Sequence, residues 1–192
     1  FVVPSQTGPD EIVVNGMSNK KRNSAWSNAA IVVETRPEDI PEEFISKAEK
    51  EGCPALAGLY YRTYLEKLAK ENGQNQTAPA QKLVDFLEHR ESDVSKTKIP
   101  DSETQEKITS YTPGIVSSRL DKWLPDDIRK RLSEGFKNFD KNMHGFISKD
   151  ALMIAIESRT STPVRILRDK DTFECVGLKD VYPAGAGSGY SG

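Results

Sequence analysis

From Pro54 to Asn72 the chain reads PALAGLYYRTYLEKLAKEN, with apolar residues three and four positions apart and Gly73 immediately after. At 3.6 residues per turn that spacing predicts a helix presenting Leu56, Leu59, Tyr60, Tyr64 and Leu68 on one face, with Gly73 as its stop. A helix with such a stripe has to be covered by other elements. FVVPS and EIVVNG are β-branched runs joined by the turn-rich QTGPD, which predicts a hairpin. NGMSNKKRNSAWSNAA is polar and rich in amides, an ordered loop, and IVVET after it reads as a third strand. RPEDIPEEFISKAEKEG carries Pro37 and Pro41 in positions that suit short helical turns.

APAQKLVDFLEHR predicts a short helix after Pro79, and the charged ESDVSKTKIPDSETQEK an exposed loop. ITSYTPG ends in a turn. LPDDIRKRLSEGFKNF starts a helix at Pro125, with acids in the first turn and Ile128, Leu132 and Phe136 every fourth residue. ALMIAIESRTSTPVRILRD is open between helix and strand. The RTST break and the β-branched PVRIL after Pro163 favour a pair of strands. The fold class expected is therefore α+β. With 192 residues the chain can bury one good core, or one core and a smaller lobe.

The totals exclude several functions. A net charge of -2 gives no whole-chain attraction to nucleic acid or to anionic lipid. No apolar run approaches the ~20 residues of a membrane helix. Cys53 and Cys175 lie far apart with no metal-ligand spacing, so a reducing cytoplasm is the default location. His89 and His144, the two histidines, stand in neither a triad nor a metal spacing. The opening FVVP and the closing YPAGAGSGYSG read as the edges of a piece of a longer protein.

FDKNMHGFISKD imitates a calcium loop, with Asp140 first, Asn142 third and Gly145 sixth. The twelfth position, which supplies a bidentate glutamate in such loops, is Ala151, and the fifth is His144. No second loop accompanies it. The stretch predicts a helix end followed by a turn, and no metal site is assigned.

The C-terminal GLKDVYPAGAGSGYSG carries more. Val181 and Tyr182 would finish a strand, followed by Gly185, Ala186, Gly187 and Gly189. Small residues at a strand end let a ligand approach the backbone closely, as dinucleotide pyrophosphates require. A flexible glycine tail would have the same composition.

The ordered set VVNGMSN…RNS, IVVE…RPED, APAQ…DFL, SYTPG, LP, ESRTSTPVRILRD and GLKDVYPAGAGSGYSG resembles the C-terminal part of a family of bacterial flavoproteins. These are described as FAD-utilising dehydrogenases or FAD-dependent oxidoreductases. The likeness spans essentially the whole chain, and its most specific pieces are NGMSN, RTSTPVR and the final glycine run. The resemblance implies an FAD-binding Rossmann-like domain, mostly absent from these residues, interrupted by a large insert beside the flavin. Residues 1–150 would be that insert or substrate domain, and 151–192 the truncated return to the FAD domain, as a strand pair and glycine turn.

It further implies FAD in the full-length parent, with NAD(P)H as a candidate reductant, and cofactor contacts from Gly185, Ala186, Gly187 and Gly189. Ala186 departs from the acid usual at that turn, which removes one acceptor for the ribityl chain, ~1 kcal/mol. The partners implied are a small-molecule substrate and the rest of the same chain. A flavin carries the hydride chemistry itself, so the protein's task is orientation and electrostatics. Arg159 and Arg165 flank TSTPV and suit a substrate carboxylate or phosphate, with the hydroxyls of Thr160 and Ser161 between them; two surface charges would look the same. Asn15 and Ser18, around Gly16, offer polar groups to substrate or flavin, while Asn15-Gly16 reads equally as a hairpin turn. Tyr111 reads as a buried structural tyrosine before a proton donor. No catalytic residue is assigned. The alternative reading, from another class, is a non-catalytic binding module built around the 54–72 helix.

Overall fold

A computed structural model of the chain describes residues 1–5, 7–97, 108–159 and 165–188. Thr160, Ser161, Pro163 and Gly189, and most of the expected loop before Thr109, lie outside them. The architecture is α+β, in two compact units, Phe1–Ser158 and Arg159–Gly192.

In the first unit the expected hairpin is present. Strand β1 (Val2–Pro4) pairs antiparallel with β2 (Val14–Gly16), Val3 facing Asn15. A 3-10 turn at Pro37–Asp39 and helix α1 (Glu42–Lys50) follow, as the two prolines suggested. IVVET forms no strand. Ile31 and Val33 turn toward the core while Val32 is exposed, so the inward and outward alternation is there. What is missing among the described residues is a neighbouring strand to complete the ladder.

Helix α2 runs Ala57–Glu71, preceded by one 3-10 turn at Pro54–Leu56 and ended at Asn72–Gly73. Its buried stripe is Ala57, Tyr61, Leu65 and Ala69, one residue round from the expected face. Tyr64 is 40% exposed. Bulky residues lie on both faces of this helix, so bulk alone does not choose between Tyr60 and Tyr64 on one side and Tyr61 and Leu65 on the other; the buried Ala57 and Ala69 mark the second. Gly73 stops the helix for a steric reason: a Cβ there would stand 2.5 Å from the Thr77 carbonyl oxygen.

APAQK, expected in or beside a helix, is strand β3 (Ala78–Lys82), and only Leu83–Leu87 is helical, as α3. β3 is the middle of a three-stranded sheet. It runs parallel to β4 (Ile115–Ser117) and antiparallel to β5 (Leu152–Ile154). A central proline normally argues against a strand. Here Ala78 N–H donates to Gly114 O at 3.0 Å and Ser118 N–H to Ala80 O at 2.9 Å, so Pro79's neighbours carry the parallel ladder. Pro79 contributes its carbonyl, which accepts from Ala155 N–H at 3.0 Å. β5 places residues 152–154 in the first unit, so the units divide at Ser158 rather than at 150.

Helix α4 (Leu120–Trp123) leads into α5 (Asp126–Asn142), which buries Ile128, Leu132 and Phe136 as its spacing predicted. These pack with Tyr61, Leu65, Leu83 and Phe86 in the main core, where Phe86 meets Phe136 edge-on at 6.2 Å. A second cluster joins Ile12, Val14, Ala69, Ala78 and Tyr111. α2 thus serves both clusters, with Tyr61 and Leu65 in one and Ala69 in the other.

Among its described residues the second unit has little regular structure. Arg168 and Cys175 form an isolated antiparallel bridge, and Val176 N–H donates to Leu167 O at 2.9 Å. Neither the strand expected after Pro163 nor the one expected at Val181 and Tyr182 forms among the described residues; Val181 contributes one carbonyl, accepting from Cys175 N–H at 2.7 Å. Too few partners lie alongside to extend these bonds into a ladder.

Candidate functional site

Asn15 and Gly16 are the last residues of β2, not the turn of the β1–β2 hairpin. That turn lies earlier, where Ser5 N–H donates to Val13 O and Glu11 N–H to Gly8 O. The Asn-Gly pair therefore closes no hairpin, and Asn15 and Ser18 are both exposed. The side chain of Asn28 approaches Gly16 closely. A Cβ on it would stand 2.5 Å from Asn28 Oδ1, and Asn28 Nδ2 donates to Met17 O at 3.0 Å. Arg22 is exposed in a tight turn with φ at 49°, its N–H donating to Asn19 Oδ1 at 2.5 Å.

The segment leading to Arg159 lies beside β2. Val14 N–H donates to Ile156 O at 2.8 Å, and Glu157 Oε2 comes to 4.0 Å from the Cβ position of Gly16. Beneath them sits Glu66 of α2, fully buried. Its carboxylate accepts from Ser158 Oγ at 2.6 Å and stands 3.3 Å from Arg62 Nε, and its backbone carbonyl accepts from Ile12 N–H at 3.2 Å. The fold thus brings NGMSN and the start of ESRTSTPVR together, although they stand far apart in sequence. Sequence reading passed over Glu66, whose only signal was an acid one place from Leu65 on the buried side of the helix.

In the second unit Arg159 is half-buried and Arg165 exposed. Gly185 has φ at 100°, which disfavours any other residue. A single 3-10 turn, Ala186–Ser188, follows it. Ser188 returns both its N–H and its hydroxyl to Gly185 O, at 3.2 and 3.1 Å, while Gly187 O accepts from Ile166 N–H at 2.7 Å. Gly185–Ser188 therefore form a hydrogen-bonded turn. Its residues expose mostly backbone, and nothing lies within 4 Å of the position a Cβ would take on Gly185.

Three other ionisable groups, Asp121, Asp140 and Tyr111, are committed to structure. Asp121 on α4 is 5% exposed. Arg119 grips it with Nε at 2.7 Å and Nη2 at 2.6 Å, and Gln81 Nε2 donates to it at 2.8 Å. Burial pushes the carboxyl up, but the Arg119 fork and the Gln81 amide outweigh it and hold the group at about 2. With Gln81 Oε1 accepting Asp121 N–H at 3.1 Å, this network ties α4 to β3. Asp140 Oδ1 accepts from Gly145 N–H at 3.1 Å and Ile147 N–H at 2.9 Å, so the calcium-like loop is closed by its own backbone. No group of three or more metal-ligating side chains occurs among the described residues. Tyr111 is 1% exposed, donates to Gln76 O at 3.1 Å, and has its phenol raised by burial. No helix among the described residues is long and apolar enough to cross a membrane.

The family model described as "FAD-dependent protein, C-terminal domain-like" matches residues 1–160. An uncharacterized protein of Clostridium beijerinckii is 36% identical over 192 residues, all of this chain but 32% of that relative. The chain thus spans about a third of the relative's length.

Proposed function

The chain belongs to the FAD-dependent protein, C-terminal domain-like family, and from that premise we propose that it is the substrate-side part of a larger FAD-dependent oxidoreductase of the dehydrogenase type. The observation that carries the reading is that the end of β2, where NGMSN begins, lies beside the segment entering RTSTPVR: Val14 N–H donates to Ile156 O, and Glu157 Oε2 comes to 4.0 Å from the Cβ position of Gly16. Next to this contact Ser158 Oγ donates to the buried Glu66 carboxylate, which fixes the chain just before Arg159 against α2. A buried carboxylate is costly unless it is paired and hydrogen-bonded, as it is here.

The turn at Gly185 fits one wall of an FAD site. It has open space at its Cβ position, and the next side chain is only a methyl group, exposed at Ala186. FAD, when bound, supplies the hydride chemistry. The chain's own residues would do the remainder. Gly185, Ala186, Gly187 and Gly189 would let the cofactor lie against backbone. Arg159 and Arg165 would orient an anionic substrate, with Thr160 and Ser161 beside them. Asn15 and Ser18 would offer hydrogen bonds at the exposed end of β2. NADH or NADPH would serve as reductant.

The test is an FAD titration of the stripped full-length parent. Gly185→Val should weaken binding about tenfold, equivalent to ~1.4 kcal/mol, with the circular dichroism spectrum unchanged. Arg165→Ala should leave FAD affinity unaltered and raise KM for an anionic substrate. Equal FAD affinity in the Gly185 variant would remove the turn from the site.

A further inference from the structure

The described residues of the second unit, Arg159–Gly192, form no core of their own. Ser188 is its one buried residue among those described, whereas Leu167, Val176, Leu178 and Tyr182 are 60, 63, 58 and 62% exposed. Two of these side chains lie together. The bridge between Arg168 and Cys175 sets the register that places Leu167 directly opposite Val176, so the two share one face of the hairpin. On the bridging residue's side Arg168 lies over the Phe173 ring at 5.2 Å and donates to Pro183 O at 3.1 Å. That side has its own partners; the Leu167–Val176 side presents bare hydrocarbon.

Chains below ~40 residues rarely hold a fold without disulfides, metals or association, and a two-stranded hairpin is marginal in water. Both cysteines are free. Yet the hairpin is well specified locally: Asp169 Oδ1 accepts from Asp171 N–H at 2.9 Å and Thr172 N–H at 2.8 Å, and Glu174 Oε1 accepts from Asp180 N–H at 2.5 Å. Defined turns around an exposed apolar face describe an element made to be covered.

We propose that the Leu167–Val176 face, with Leu178 and Tyr182, is a docking surface for the part of the full-length chain lying outside these 192 residues. This rests on the reading of the chain as part of a larger flavoprotein. The relative that matches it end to end is about three times as long, which supplies the covering surface. A covalently connected partner acts at millimolar effective concentration, far above that of a second copy. The hairpin leads directly to Gly185, so the same docking would present the glycine turn to the remainder of the parent.

The experiment uses the full-length parent. Hydrogen exchange at the Cys175 and Val176 amides should be slowed at least about a hundredfold relative to the unfolded chain, independently of protein concentration. Leu167→Lys with Val176→Lys should abolish that protection. In case the double variant fails to fold, Tyr182→benzoylphenylalanine is photolysed in the otherwise native parent. Adducts on residues of the same chain outside these 192 support the proposal. Adducts on residues 1–158, adducts between copies, or unprotected amides overturn it. None of these readouts depends on bound flavin, so a colourless parent with a protected hairpin would reject the flavoprotein reading and leave the docking face standing.

Discussion

The two units teach opposite lessons about what a stretch of sequence can hold together. Phe1–Ser158 closes two apolar clusters with α2 lying between them. Arg159–Gly192 has comparable apolar content in its hairpin but points much of it outward. In the first unit, stability comes from packing, and local turns follow from it. In the second, turns and backbone bonds come first, and packing is left to whatever covers the face.

The sharpest way to break this contrast is a pair of truncations measured by urea unfolding of the 192-residue chain. Phe86→Ala empties a fully buried site against Phe136 and should cost about 3–5 kcal/mol. Leu167→Ala, at a side chain 60% exposed, should change the same transition by less than about 0.5 kcal/mol. Equal effects would mean that the second unit has a core after all.

Next in size is Asp121→Asn, expected to cost about 2–3 kcal/mol through the lost charge-assisted bonds of Arg119. The folded carboxyl sits at about 2 against an ordinary 3.8, so the folded chain takes up that proton less readily than the unfolded one. The stabilisation is fully present above about pH 4 and is lost as pH falls toward 2. The variant should therefore lose less stability across that window than the native chain.

Gly73→Ala drives a methyl group toward the Thr77 carbonyl and should cost about 1–3 kcal/mol. A smaller effect than at Gly73 is expected at Gly185→Ala. Open space surrounds that Cβ, leaving only the penalty of φ at 100°, about 1 kcal/mol. In the 192-residue chain it should be barely visible in global unfolding, while in the parent it should appear as weaker FAD binding.

Legibility in the sequence followed the same divide. α5 was readable because Ile128, Leu132 and Phe136 recur at one helical period and all point inward. α2 was readable as an element, but its face was misassigned, since bulky residues lie on both sides of it and Tyr61 and Leu65, not Tyr60 and Tyr64, turn inward. β3 was hidden by Pro79, whose tolerance depends on the bonds of its neighbours to Gly114 and Ser118, and those partners lie far along the chain. IVVET had the strand alternation and lacked the neighbour that no local pattern can reveal. Of the candidate site, NGMSN, RTSTPVR and the glycine turn stand out in the sequence as segments. That the end of β2 lies beside the residues just before Arg159 does not, because the contact runs through Ile156, which carries no motif.

The measurement that bears most directly on the function proposed is the visible absorption spectrum of the gently purified full-length parent. A flavin band, retained through gel filtration and diminished by Gly185→Val, is the expected result. A parent that is colourless and takes up no added FAD would contradict the account and leave these residues as a binding module of another kind.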